Sequence, residues 1–274
     1  MAADAPTPAG PRNLIGGTAR GVVSATSTVE RLVAFTLITL GTAFSKNHLA
    51  RGVIRPLIRE QIFRAGVRLI PMVCFLGLAL GILIVGQTEA LLQQVGANQY
   101  TGALLVTVII RELAPLVSGL VVFARVGTAS VIELGTARAL GEMEALEALS
   151  IDPIHYLVVP RVIGFTVAVM GLTLYCILAS LVSGYIFAYS RGLPLNPAAY
   201  LERIAAALSW VDFPLLALKS GLFGAITALI VTYQGLARPL RLEDIGDTTA
   251  RTVVYCLVVC LIVDGGFIPL YLIL

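Results

Sequence analysis

Five long apolar runs, set apart by shorter polar stretches, dominate the chain: residues 69–87, 101–124, 160–189, 211–233 and 252–272. Each matches or exceeds the ~20 residues that a helix needs to cross the hydrocarbon core of a bilayer. The third run would extend about 45 Å as a helix, so it tilts or projects beyond the lipid. The pattern predicts an all-α integral membrane protein of about five transmembrane helices. Small-residue pairs within the runs, Gly77/Gly81 and Gly221/Gly224, mark places where helices can approach closely.

Two segments precede the first run. Residues 29–44 are apolar but short and interrupted. Residues 49–68 carry Arg51, Arg55 and Arg59 at every fourth position, with Arg64 and Arg68 beyond, and Val53, Ile54, Leu57, Ile58 and Ile62 opposite. That spacing predicts a basic amphipathic helix lying on the cytoplasmic membrane face. Residues 1–13 are rich in Ala and Pro and lack the apolar core of a signal peptide. The chain therefore divides into a poorly ordered tail (1–27), membrane-interface helices (28–68) and a membrane domain (69–274). Between the third and fourth runs, Asn196-Pro197 supplies an N-cap and a first-turn proline for a short external helix.

Composition agrees with this picture. Hydrophobic residues make up 58% of the chain and charged residues 13%, against about 25% charged in soluble domains. Nine of the 19 Lys and Arg residues lie before Ile70, whereas residues 86–100 have none. The positive-inside bias puts the N-terminus in the cytoplasm and the C-terminus on the periplasmic side, which an odd number of spans permits. The basic residues form no aromatic-interleaved patch, so nucleic acid is excluded as a partner. Cys74, Cys176, Cys256 and Cys260 all sit within apolar runs and act as small hydrophobes, with no metal-binding spacing.

Four charges interrupt the runs: Arg111 and Glu112 in the second, Lys219 in the fourth and Asp264 in the fifth. A charge at the centre of a span costs roughly 2.5–3.5 kcal/mol even on the lenient insertion scale, so each must face a partner or a wet cavity. Counting along the helices places all four in the outer half of the membrane. Arg111 and Glu112 are neighbours, about 100° apart on a helix, and cannot both face one partner. The four sum to zero and suggest an inter-helix network. It is either a structural lock or the polar lining of a substrate cavity.

Between the second and third runs, Leu140, Met143, Leu146 and Leu149 recur at helical spacing with Glu142, Glu144 and Glu147 between them. They predict a short amphipathic helix ended by Asp152-Pro153. An acidic helix in that place suits docking on a soluble motor better than contact with an anionic lipid surface. No GxxxxGK[ST] occurs, so any ATP is bound by another chain and this chain holds no cofactor.

These motifs resemble one family. QIFRAGVRLIPMVCFLGLALGILIVGQ is similar to the first span of the MlaE family of ABC-transporter permeases, RELAPLVSGLVVFARVGTASVIELGT to its second, and EALEALSIDPIHYLVVPRVIG to its coupling segment. The resemblance covers about three quarters of the chain. It implies a permease subunit, itself no enzyme, in the inner membrane of a diderm envelope or in a plastid. The implied partners are a second copy of itself, a cytoplasmic ABC ATPase, often a STAS-domain protein, and an MCE-domain lipid-binding protein on the outer side. Phospholipid is the implied substrate. Arg111, Glu112, Lys219 and Asp264 match the family's charged positions. Leu140-Gly141-Glu142, RPLRLEDIGD and Thr248-Thr249-Ala250 depart from its pattern, all on the side of the ATPase. Two other classes are open to the residues alone: an ion-coupled secondary transporter using the four charges as a relay, and a membrane scaffold.

Overall fold

A computed structural model describes residues 51–96, 100–190, 196–236 and 245–273, together with Phe35, Thr36, Thr39 and Gly41. The expected N-terminal tail, most of the apolar segment at 29–44 and residues 237–244 lie outside the described residues. No strand occurs among those described. Helix α1 (Arg51–Ala65) passes through a tight turn at Val67–Leu69 into α2 (Ile70–Val95). Then follow α3 (Thr101–Ala139), α4 (Glu142–Ala148), α5 (Ile154–Ser190), α6 (Pro197–Ala207), α7 (Asp212–Leu236) and α8 (Ile245–Ile273). Five of these stretches are long and apolar enough to cross a membrane: Ile54–Thr88, α3, α5, α7 and Gly246–Tyr271. The protein is an all-α, multi-pass membrane protein.

The helices outrun the apolar stretches that announce them. α3 continues past Ala124 to Ala139, so Arg125 and Glu133 are both helical. α5 begins at Ile154 rather than Pro160, and the basic amphipathic segment leads directly into the first span. Hydropathy reports where lipid solvates a helix, whereas backbone hydrogen bonding carries on into polar residues.

Three wide turns with i→i+5 bonding interrupt these helices: Val106–Leu113 and Phe123–Gly127 in α3, and Ile154–Val158 in α5. Two of them lie just before a proline, Pro115 and Pro160. A proline cannot donate to the carbonyl four residues earlier, and its ring crowds that carbonyl. The helix widens there, so that Ala114 N–H bonds Ile109 O and Val159 N–H bonds Ile154 O.

Packing follows the small residues. α2 and α5 run side by side in the same direction. A side chain at Gly81 would collide with the Ser180 carbonyl and the Ser183 hydroxyl. Ser180 Oγ donates across this seam to Gly77 O at 2.9 Å. α7 meets α5 where a Cβ on Gly224 would lie 2.6 Å from Phe165 O. Phe165, Phe223, Leu105, Ile109 and Leu172 fill the centre and are almost completely buried. α8 is held loosely. Only 11% of its most apolar stretch is buried, against 61% in α7. α6 starts as its sequence predicts, with Asn196 Oδ1 accepting from Ala198 N–H and Pro197 in first place.

Candidate functional site

Five charges on α3, α7 and α8 form one cluster with two centres. At the first, Lys219 of α7 is fully buried. Its ammonium lies 2.7 Å from Glu112 Oε2 on α3 and 2.8 Å from Asp264 Oδ1 on α8. It also donates to the Arg111 carbonyl at 2.8 Å. That carbonyl is the one Pro115 leaves without its usual donor, so the cation fills a vacancy in the helix ladder as well as pairing two acids. Two of the ammonium's three donors are hydrogen-bonded, to Glu112 and to the Arg111 carbonyl, and Asp264 is held as an ion pair.

At the second centre Arg111 pairs with neither acid of that set. Its Nε lies 2.8 Å from Asp212 Oδ1, and its Nη2 donates to Asp212 Oδ2 at 3.1 Å, a two-pronged contact. Asp212 also accepts from Ser209 N–H at 2.8 Å, which fixes the start of α7. The four-residue network expected from the sequence is therefore incomplete. Asp212 belongs to the cluster, and two cations face three carboxylates, leaving one negative charge in excess rather than none. Asp212 escapes notice in the sequence because it stands at the edge of an apolar run, where an acid is ordinary. Two rings roof the cluster. Tyr271 lies 5.0 Å from the Arg111 guanidinium carbon, and Phe267 lies 5.8 Å from the Lys219 nitrogen.

Below the cluster, toward α4, an apolar groove runs between α3 and α8, lined among others by Leu116, Leu120, Phe123, Leu257 and Leu261. Leu116 lies one turn past Glu112, and Leu261 just under one turn before Asp264.

At the opposite end of the bundle α4 starts after Gly141, whose φ of 78° a glycine adopts without strain. It stops earlier than Asp152-Pro153. Ile151 N–H bonds Leu146 O and Ser150 N–H bonds Glu147 O, with Ser150 at φ 60°; this is a Schellman stop. Asp152-Pro153 instead opens α5, with Asp152 Oδ1 accepting from Ile154 N–H at 3.0 Å and Pro153 at the first helical position. Leu140 and Leu149 consequently flank α4 rather than belong to it. Met143 packs inward, while Glu142, Glu144, Glu147, Leu140 and Leu149 are exposed and Leu146 is half-buried. A cleft of about 400 Å³ opens behind the helix, lined by Phe35, Arg138, Met143, Glu147, Asp152 and Tyr233 among others. Arg138 also donates to the Leu236 carbonyl and so caps the end of α7.

A second ion network joins this end together. Glu133 on α3 lies 3.0 Å from Arg161 of α5 and 3.3 Å from Arg64 of α1, and Arg64 also pairs with Glu60 at 2.8 Å. The Arg161 side chain is only 4% exposed. Sequence reasoning does not find this set, because each member looks like an ordinary charge at a membrane edge.

Residues 58–268 match the family model described as Permease MlaE. The chain belongs to the MlaE permease family. Among curated relatives, a probable ABC transporter permease protein of Rickettsia conorii is 31% identical over 77% of this chain and 83% of its own. The protein Trigalactosyldiacylglycerol 1, chloroplastic, of Arabidopsis thaliana is 32% identical over 69% of this chain and 53% of its own. A probable ABC transporter permease protein of Synechocystis is 33% identical over 58% and 60%.

As an MlaE permease the chain is the membrane subunit of an ABC transporter, and the family implies an ATPase partner. Within that role the MlaE permease offers two distinct chemistries. At one end a partly open set of charges adjoins an apolar groove. At the other, acidic and apolar side chains project from a rigidly capped helix.

Proposed function

We propose that this permease moves phospholipid between the inner and outer membranes of a cell envelope, as one half of a homodimer driven by an ATPase seated on α4. The observation that carries the reading is a small apolar groove between α3 and α8 whose Leu116 and Leu261 stand about one helical turn from Glu112 and Asp264 of the charge cluster. A ligand that occupies both must have a polar head and apolar tails. The loosely held α8, with Val254, Val258, Leu261 and Ile262 exposed, gives such a molecule a way in from lipid or a face for a second copy. The Arabidopsis relative is named for a glycerolipid, which agrees with lipid as the class of cargo. In this reading Arg111, Glu112, Lys219 and Asp264, with Asp212, line and brace the cavity.

The ATPase docks on Leu140, Glu142, Glu144, Glu147 and Leu149, with Met143, Leu146, Asp152 and Pro153 holding the helix in place. The exposed Arg55, Arg59 and Arg68 beside the first span favour the cytoplasmic face for the α4 end. The cluster then lies toward the periplasm, beneath an MCE-domain partner. A STAS-domain protein completes the assembly on the cytoplasmic side. The test is reconstitution of the permease with its co-purifying ATPase in vesicles that carry a fluorescent phospholipid. ATP-dependent lipid movement that is lost in Lys219→Ala is the expected result. Transport that follows a proton gradient and ignores ATP would overturn the proposal.

A further inference from the structure

We propose that the cluster selects a zwitterionic head group, one that carries an ammonium as well as a phosphate. The inference rests on the lipid reading above and concerns which lipid the site prefers. It comes from which charges a ligand can reach. Lys219 is fully buried and the Asp212 side chain is 5% exposed, so these two are internal counter-ions. The side chains of Arg111, Glu112 and Asp264 are 22%, 26% and 17% exposed. A head group therefore meets one guanidinium and two carboxylates.

Lys219 is out of a phosphate's reach: it is fully buried, donates to Glu112 and to the Arg111 carbonyl, and lies 2.8 Å from Asp264 as an ion pair. Arg111 donates one Nη2 hydrogen to Asp212, with its Nε 2.8 Å from the same carboxylate as an ion pair, and keeps other N–H groups for a phosphate. Tyr271 adds a second donor: its hydroxyl is buried and has no hydrogen-bond partner among the described residues. Its ring already stacks over Arg111, on the same side of the cluster.

The cluster carries one excess negative charge before any ligand arrives. A head group with a phosphate alone would raise that to two within the span, where uncompensated charge is costly. An ammonium next to the phosphate meets Glu112 and Asp264 and cancels the charge the phosphate brings, so the total stays at one. The Phe267 and Tyr271 rings favour a cation there as well.

The experiment uses the full-length chain in nanodiscs that contain equal amounts of phosphatidylethanolamine and phosphatidylglycerol with the same acyl chains. Lipid retained on extraction of the protein is identified by mass spectrometry. The ammonium lipid should be enriched on the order of tenfold, the worth of one charge-assisted contact. Glu112→Gln and Asp264→Asn should bring the ratio close to one. Because either variant could disturb folding, the unaltered protein is also offered N-acetylated phosphatidylethanolamine, which keeps the phosphate and lacks the ammonium; its enrichment should vanish. Equal retention, or preference for the glycerol head group, overturns the head-group inference and leaves the lipid reading in place. Retention of neither lipid overturns the lipid reading and this inference with it.

Discussion

Arg161 Nη2 lies 3.0 Å from Glu133 Oε1, although the two are separated in the chain by the whole of α4 and its flanking turns. The pair closes the base of the α3–α4–α5 hairpin, and Arg64 joins the same carboxylate from α1. The two arginines differ in environment. The Arg161 side chain is 4% exposed and that of Arg64 is 43% exposed. Glu133→Gln should cost about 2–4 kcal/mol of stability, because it leaves a buried guanidinium without its counter-ion. Arg64→Ala should cost less than about 1 kcal/mol, as exposed pairs do. Thermal unfolding of the detergent-solubilised protein measures both, and equal losses would refute the difference in roles.

Lys219→Ala strands two carboxylates within the spans. The expected loss is about 3–5 kcal/mol, the usual cost of breaking a buried ion set from one side. The triple change Lys219→Met, Glu112→Gln and Asp264→Asn removes the charges together and should recover most of that stability while leaving transport abolished. Comparing melting temperature with lipid movement separates a structural lock from a substrate site. A triple variant that transports normally would make the cluster purely structural.

Asp212 serves two partners, so its variants should separate. Asp212→Asn keeps one oxygen, which can still accept from both Ser209 N–H and Arg111 Nη2 as Oδ2 does, but it loses the charge and sets an NH2 against Arg111 Nε. Asp212→Ala loses both contacts and should be the less stable by about 1–2 kcal/mol. If transport in Asp212→Asn falls as far as in Arg111→Ala, the pair works as a unit.

Ser150 holds a left-handed conformation at the end of α4 that costs a residue with a side chain about 1–2 kcal/mol. Ser150→Gly should therefore raise stability by roughly 0.5–1 kcal/mol without affecting ATPase docking. Leu149→Asp should do the opposite: melting unchanged, because the side chain is 71% exposed, and ATPase co-purification lost. Retention of the ATPase by that variant would move the docking surface elsewhere.

The five spans were legible because lipid demands long apolar runs, and the glycine seams were legible because small residues at helical spacing have few other uses. The ends of the helices were not. Nothing apolar marks where α3 stops, and Asp152-Pro153 reads equally well as the end of one helix or the start of the next. Its partners decide, and they lie in α5. Lys219, Glu112 and Asp264 stood out because a charge inside an apolar run has to be accounted for. Asp212, Glu133 and Arg161 gave no such signal. Each sits where water could have solvated it; only the folded chain shows Asp212 and Arg161 buried, and Glu133, itself half exposed, paired with Arg161.

The seam at Gly81 has a mechanical consequence. With backbone set against backbone at Ser180, α2 and α5 cannot slide or roll past one another without collision. They form a stiff frame, and α7 is bolted to it where Gly224 meets Phe165. α8 has no comparable fastening along most of its length. Because helices in lipid are held by close packing and interhelical hydrogen bonds rather than by removal from water, the frame is the fixed part of the bundle and α8 the helix least tied to it.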